Sequence, residues 1–293
     1  MWDLRLEDVL QLASHARKDQ AVLLVGSVAD GLSNYLSDVN LLTICGDSPT
    51  NDVEAAVSRW QAAGPRKRPT VRIRSCDKGY VDSLLHKLAR VSALIHDPRQ
   101  LGTGALTKIE MLNKLERALL HSLRTGIVLA NAGDVEAWRN AAQDLADFLI
   151  VYHIGVHFNC REDAIAQVKY GDPISALWML IPAADSLSGA MLASVGETHP
   201  DPKWRPRLLL RHQNTLGKER VERVLKYLLP STPNVNANAV IQFALRSFDV
   251  TLLEILARRP AFMNPMLEFR KQAKIVIDLD EIDSRGQPRS QER

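Results

Sequence analysis

The residues whose types and spacing carry the most chemistry lie in one segment, Gly26-Ser27-Val28-Ala29-Asp30-Gly31-Leu32-Ser33-Asn34-Tyr35-Leu36-Ser37-Asp38-Val39-Asn40-Leu41. A glycine followed by a serine lets backbone approach a phosphate closely, while the hydroxyl and nearby amides donate to its oxygens. Asp38 and Asn40 are two apart, so on a strand they point to the same face. An aspartate offers a divalent cation a charged oxygen, and an asparagine offers it a neutral carbonyl. Arg72 and Arg74 repeat the same two-residue spacing further on, and guanidinium groups pair well with phosphate oxygens. The chemistry these residues point to is polyphosphate binding. Gly26, Ser27, Ser37, Arg72 and Arg74 would hold the anion, and Asp38 with Asn40 would face a magnesium ion.

The same segment resembles the signature of the polymerase-β-like nucleotidyltransferase superfamily, in its small-molecule type: a strand, Gly-Ser, a glycine five residues on, then Ser-Asp-x-Asp on the next strand. The resemblance covers roughly a third of the chain at motif level. It implies a nucleoside triphosphate as substrate, Asp38 as the catalytic magnesium ligand assisted by Asn40, and transfer of a nucleoside monophosphate to a small-molecule acceptor. Magnesium there neutralises phosphates and positions an in-line displacement. This chain departs from the pattern at several positions. The family has aspartate where Asn40 stands, and commonly a third carboxylate on the later strand, where Arg72 and Arg74 stand. Asp77 lies beyond that strand, and Asp30 replaces an arginine often found before the second glycine. A competing class follows: a catalytically reduced homologue that binds nucleotide, or a protein partner, on the same scaffold.

The run His199-Pro200-Asp201-Pro202-Lys203-Trp204-Arg205-Pro206-Arg207 carries a second resemblance. Pro-Lys-Trp before a helix is similar to a segment of stand-alone small-molecule nucleotidyltransferases with a helical C-terminal domain, which implies Lys203 as a phosphate contact. A loop with a packed Trp204 and a solvated Lys203 explains the run equally well. Arg207 and His212 match the loose Arg-x4-His spacing of helical ribonuclease domains that accompany small nucleotidyltransferases, although a solvated helix face explains them better. His153, His157 and Cys160 share a helix face at a spacing that zinc accepts, but no fourth ligand is evident and a packed face is the commoner reason. Glu197, Asp185 and Asp163 are available as general bases, with nothing to rank them.

The elements that must position these residues read as helix, strand, strand, helix, strand. Residues 3–17 have helical apolar spacing, and Ala21–Val25 and 38–44 are apolar strands closed by Gly26-Ser27 and Gly46-Asp47-Ser48-Pro49. Residues 51–63 read as a helix and 70–75 as a strand. From about 107 to 260 almost everything has helical periodicity, with breaks at Gly133, Gly171-Asp172-Pro173, 196–206 and Pro230–Pro233. Long helices are expected over Ile109–Leu123 and Val135–His157, and another is entered at Asp172-Pro173. The expected fold class is α+β: a nucleotidyltransferase-like mixed sheet with helices over 1–102, an all-helical, cleft-closing domain over 103–280, and a disordered tail over 281–293.

Composition sets the wider limits. The chain has 293 residues, 46% hydrophobic and 24% charged, which is ordinary for a globular protein and enough to bury a core. A net charge of +3 does not imply a nucleic-acid binder, and 5% aromatics leave few base-stacking platforms. Basic residues do cluster, at Arg66-Lys67-Arg68 with Arg72, Arg74 and Lys78, and again from Lys203 to Arg223. Cys45, Cys76 and Cys160 lack paired spacing, which suits a reducing compartment. The opening Met1-Trp2-Asp3-Leu4-Arg5 lacks the apolar run of a secretory leader, and the apolar stretches read as too short to span a bilayer. A cytoplasmic protein without a membrane partner is expected, and homo-oligomerisation is left open.

Overall fold

The computed structural model describes residues 6–33, 37–46, 51–63, 70–96, 112–228 and 237–258. The fold is α+β. The chain divides into two compact units, one of residues 1–90 with 111–145, the other of residues 91–110 with 146–293.

The first unit holds a small mixed sheet in the order β3-β2-β1-β4. Strands β1 (Ala21–Val25) and β2 (Val39–Cys45) pair antiparallel, β2 and β3 (Val71–Asp77) pair parallel, and β4 (Ile127–Ala130) pairs antiparallel with the far side of β1. Alternation decides which side chains meet the helices. Val22 and Leu24 of β1, Val39 and Leu41 of β2 and Val71 of β3 pack under Val9, Leu12 and Ala13 of α1 (Leu6–Ala13) and Val53, Ala56 and Val57 of α2 (Asn51–Ala63). Asn40, Leu42 and Ile44 of β2, with Arg72 and Arg74 of β3, therefore belong to the opposite face. Helix α3 (Lys78–Ile95) follows β3 directly.

Two differences from the sequence reading lie here. β4 falls inside the stretch read as almost entirely helical; Ile127 and Val128 suit a strand, and β1 supplies the hydrogen-bonding partner. The helix read over Ile109–Leu123 is described as α4 (Lys114–Thr125). Its N-terminus is set by a capping box, in which Asn113 accepts from the Leu115 and Glu116 amides and the Glu116 carboxylate accepts from the Asn113 amide.

In the second unit the helix read as continuous from Val135 is two, α5 (Val135–Ala141) of the first unit and α6 (Leu145–Lys169), broken by a turn at 142–144. Helix α7 (Pro173–Ser194) is the centre of that unit. Asp172 caps it through the Ser175 amide, as the Asp-Pro entry leads one to expect. It packs against α8 (Arg205–Arg211), α10 (Lys218–Leu228) and α11 (Ala237–Arg258), with the short α9 (Gln213–Leu216) between the first two in sequence. Contrary to the reading that every apolar stretch is too short, α7 is long and apolar enough to cross a membrane by length and composition, yet 67% of that window is buried inside the protein. Most of its apolar residues pack into the core, while Ile174, Trp178 and Ile181 stay exposed.

Candidate functional site

The segment from Gly26 to Asn40 joins β1 to β2, the two central strands of the sheet. Gly26 has φ +74°, a left-handed conformation that glycine adopts without a Cβ clash. The turn that follows closes on itself: the amides of Asp30, Gly31 and Leu32 donate to the carbonyls of Gly26, Val28 and Ser27. The amides of Ser27, Val28 and Ala29 are not donors in those bonds. Leu32 is fully buried and anchors the turn to the core.

Across the sheet, Val25 stands opposite Asn40, and Asn40 stands opposite Arg72. That row brings the sequence-identified residues together. Asn40 lies against Gly26, where a Cβ on the glycine would meet Asn40 Nδ2 at 3.3 Å. The same Nδ2 donates to the Asp38 carbonyl at 3.4 Å. Arg72 Nη2 donates to Asp38 Oδ2 at 2.9 Å, with side-chain exposures of 67% and 30%. Arg74 is exposed two residues further along β3, and Ser37 precedes Asp38 at half-buried depth. Asp77 closes β3 as an N-terminal cap of α3, its Oδ1 accepting from the Tyr80 amide.

Magnesium does not fit this arrangement well. Among the described residues, the donor set near position 38 is one carboxylate, already paired with a guanidinium, and one neutral amide whose nitrogen is turned to the Asp38 carbonyl. A divalent cation there would have to displace a fixed positive charge, and one carboxylate would be left to balance it.

A feature without any local sequence signal lies beneath the turn. His121 of α4 is buried and its Nε2 lies 3.3 Å from Asp30 Oδ2, with Thr125 Oγ1 3.4 Å away. Asp30, which stands out as a departure from the family pattern, is thus the turn's link to α4.

A cavity of about 320 Å³ opens at the other end of the sheet, where β1 begins and β2 ends; Lys18, Cys45, Lys78, Asn131, Asp134 and Trp138 are among its lining. None of the residues singled out for phosphate or metal lines it. Its polar groups are largely satisfied within the protein. Lys78 Nζ donates to Asp134 Oδ2 at 2.6 Å, which holds its pKa above the usual lysine value, and Asn131 Nδ2 donates to the carbonyls of Arg17 and Gln20, each at 2.6 Å.

The remaining candidates belong to the second unit. Lys203 lies on the 3-10 turn Pro202–Trp204, paired with Asp201 at 2.9 Å and 5.5 Å from the Trp204 ring centroid. Asp185 is bonded to the buried Arg205, and Glu197 accepts from the amides of Thr198 and His199. Its other oxygen lies 3.6 Å from His212 Nε2. Asp163 is exposed. His153 packs on Gly189, His157 Nδ1 is 3.0 Å from the Ala183 carbonyl, and burial raises the Cys160 thiol pKa. Among the described residues these last three do not converge as a ligand set. Arg66, Lys67, Arg68 and the 281–293 tail lie outside the described residues. No protein-family model matches this chain, and no curated protein is significantly similar to it.

Proposed function

We propose that the Gly26–Asn40 segment and strand β3 bind a nucleoside triphosphate without magnesium, on a nucleotidyltransferase-like scaffold reduced in its metal chemistry. The observation that carries this reading is the Arg72–Asp38 pair: a guanidinium already occupies the carboxylate that a metal ion would need. Arginine stays charged at any physiological pH and presents five donors, so Arg72 keeps donors for phosphate while bonded to Asp38. Arg74 adds a second guanidinium on the same side of β3, and the first amides of the Gly26 turn add neutral donors. The choice of a nucleotide among polyphosphates rests on the resemblance of the segment to nucleotidyltransferases.

A second reading, transfer of a nucleoside monophosphate to a small-molecule acceptor with Asp38 as magnesium ligand, is favoured by the Gly26-Ser27…Ser37-Asp38 spacing. Calorimetric titration with ATP, CTP, GTP and UTP, in magnesium and in EDTA, separates the two. Binding in EDTA that tightens in Asp38→Asn, where a repelling charge is removed and Arg72 is released, supports the metal-free site. Binding that needs magnesium and is lost in Asp38→Asn supports the transferase. Absence of binding under both conditions rejects both.

A further inference from the structure

Helix α7 turns an uncharged apolar stripe to solvent. From Pro173 to Ala184 it contains no Asp, Glu, Lys or Arg. Its inner face, Ala176, Leu180, Ala183, Ala184 and Leu187, is buried. Its outer face exposes Ile174 (78%), Trp178 (69%) and Ile181 (48%), and Tyr170 on the turn before the helix is 87% exposed. The helical spacing of four and three residues puts Ile174, Trp178 and Ile181 on one face. With aromatic side chains presenting about 150–250 Å² each, the four exposures amount to roughly 500 Å². A specific dimer takes about 800 Å² from each partner, so this stripe would supply more than half. Contiguous apolar patches of this kind mark interaction sites.

We infer that this face joins two copies of the chain, with α7 lying antiparallel to its own copy about a two-fold axis at Trp178. The stripe is self-complementary, as a closed two-fold contact requires. Ile174 lies four residues before Trp178 and Ile181 three after, so antiparallel pairing sets Ile174 against the partner's Ile181 at both ends and the two Trp178 rings side by side. The ends carry unlike groups. Tyr170 brings a phenol O–H to one end. Asp185, one helical turn beyond Ile181 and bonded to Arg205, keeps 33% of its side chain exposed at the other. Antiparallel pairing sets the end carrying Tyr170 and Asp172 against the partner's Asp185 end, whereas parallel pairing sets Asp185 against Asp185. Between those ends, from Pro173 to Ala184, the stripe carries no charged side chain to be desolvated. A lipid surface is the poorer occupant: interfacial helices carry Lys and Arg on the polar face, and α7 has neither.

Sedimentation equilibrium of the full chain tests this. The wild type is expected at twice its 32.7 kDa, and Trp178→Glu at the single-chain mass with unchanged circular dichroism and melting. Trp178→Cys should cross-link to its own copy under mild oxidation far faster than Ile174→Cys or Ile181→Cys, since position 178 alone lies on the axis. That comparison decides the matter even if Trp178→Glu folds poorly. The inference is overturned by a wild type that stays at the single-chain mass to about 100 µM, a range in which interfaces of this size associate. It is equally overturned by a dimer indifferent to Trp178→Glu, or by Trp178-dependent flotation of a single chain with anionic vesicles.

Discussion

Arg72 Nη2 on β3 donates to Asp38 Oδ2 at 2.9 Å, in the register where Arg72 stands opposite Asn40 across the parallel β2–β3 pair. The pair is well solvated, and exposed pairs of this kind contribute at most about 1 kcal/mol to stability. Its importance is local potential: a cation is fixed beside the Gly26 turn. Arg72→Gln is therefore expected to leave the urea-unfolding free energy within about 1 kcal/mol of wild type. It should weaken triphosphate binding in EDTA about tenfold, the loss of one charge-assisted bond worth roughly 1.4 kcal/mol. Added salt should weaken the wild type more steeply than the variant, because screening acts on the charge the variant lacks.

Gly26→Ala should be costly in two ways at once. The residue sits at φ +74°, and the added Cβ would meet Asn40 Nδ2 at 3.3 Å. Left-handed backbone costs a non-glycine residue about 1–2 kcal/mol, so destabilisation of that order is expected in urea melts, together with weaker triphosphate binding. Gly46→Ala is the control, since no atom lies within 4 Å of its added Cβ. It should change neither measurement appreciably.

The parts of this fold legible in the sequence are those set by local pattern. Ala21–Val25 and Val39–Cys45 are apolar runs bounded by turn residues, and two-residue alternation already placed Asp38, Asn40, Arg72 and Arg74 on comparable faces. The parts that were not legible depend on distant partners. β4 is four residues long and is defined by pairing with β1. The buried stripe of α4 runs through Glu116, Leu120 and Leu123, while the apolar Leu115 is 72% exposed. Periodicity counts a glutamate as polar and has no knowledge of Lys87. His121 and Asp30 are 91 residues apart, so no window along the chain contains both.

Lys87 and Glu116 make the buried counterpart of the Arg72–Asp38 pair. Lys87 Nζ lies 2.9 and 3.1 Å from the two Glu116 oxygens, with side-chain exposures of 13% and 10%. Removing one partner leaves the other charge buried and unpaired, which typically costs about 3–5 kcal/mol. Lys87→Met should therefore destabilise far more than Asn113→Ala, which removes the cap of the same helix at a cost of about 1 kcal/mol. Urea denaturation of the two variants, side by side, checks the order.

The cysteines should be poor nucleophiles at neutral pH. Burial, followed by the charge of Asp77, pushes the Cys76 thiol up to about 11, and burial also raises Cys45 and Cys160. The thiolate is the reactive form, so iodoacetamide labelling of the native chain should be slow at pH 7–8. Labelling at Cys76 should rise tenfold per pH unit until it levels off near pH 11. In urea the same sites should label at the rate of free cysteine, with a midpoint about two units lower. The same displacement has a consequence for folding. The native state holds these protons to higher pH than the unfolded chain does, so the thiols favour unfolding as pH rises above the ordinary cysteine value.

Gly189 of α7 and His153 of α6 approach closely enough for a clean cycle of variants to read their coupling. A Cβ on Gly189 would lie 2.6 Å from His153 Nε2 and within 2.8 Å of two ring carbons, too close for both to keep their places. Overpacking of this kind costs about 1–3 kcal/mol. Gly189 sits inside α7, where alanine would otherwise be the better helix former by nearly 1 kcal/mol. The expected result has opposite signs in two backgrounds: Gly189→Ala destabilises the wild type, but stabilises or is neutral in His153→Ala, where the ring is absent. Thermal melts of the four proteins read the coupling directly. Additive effects would mean that the ring moves aside freely, and that helix propensity alone governs the position.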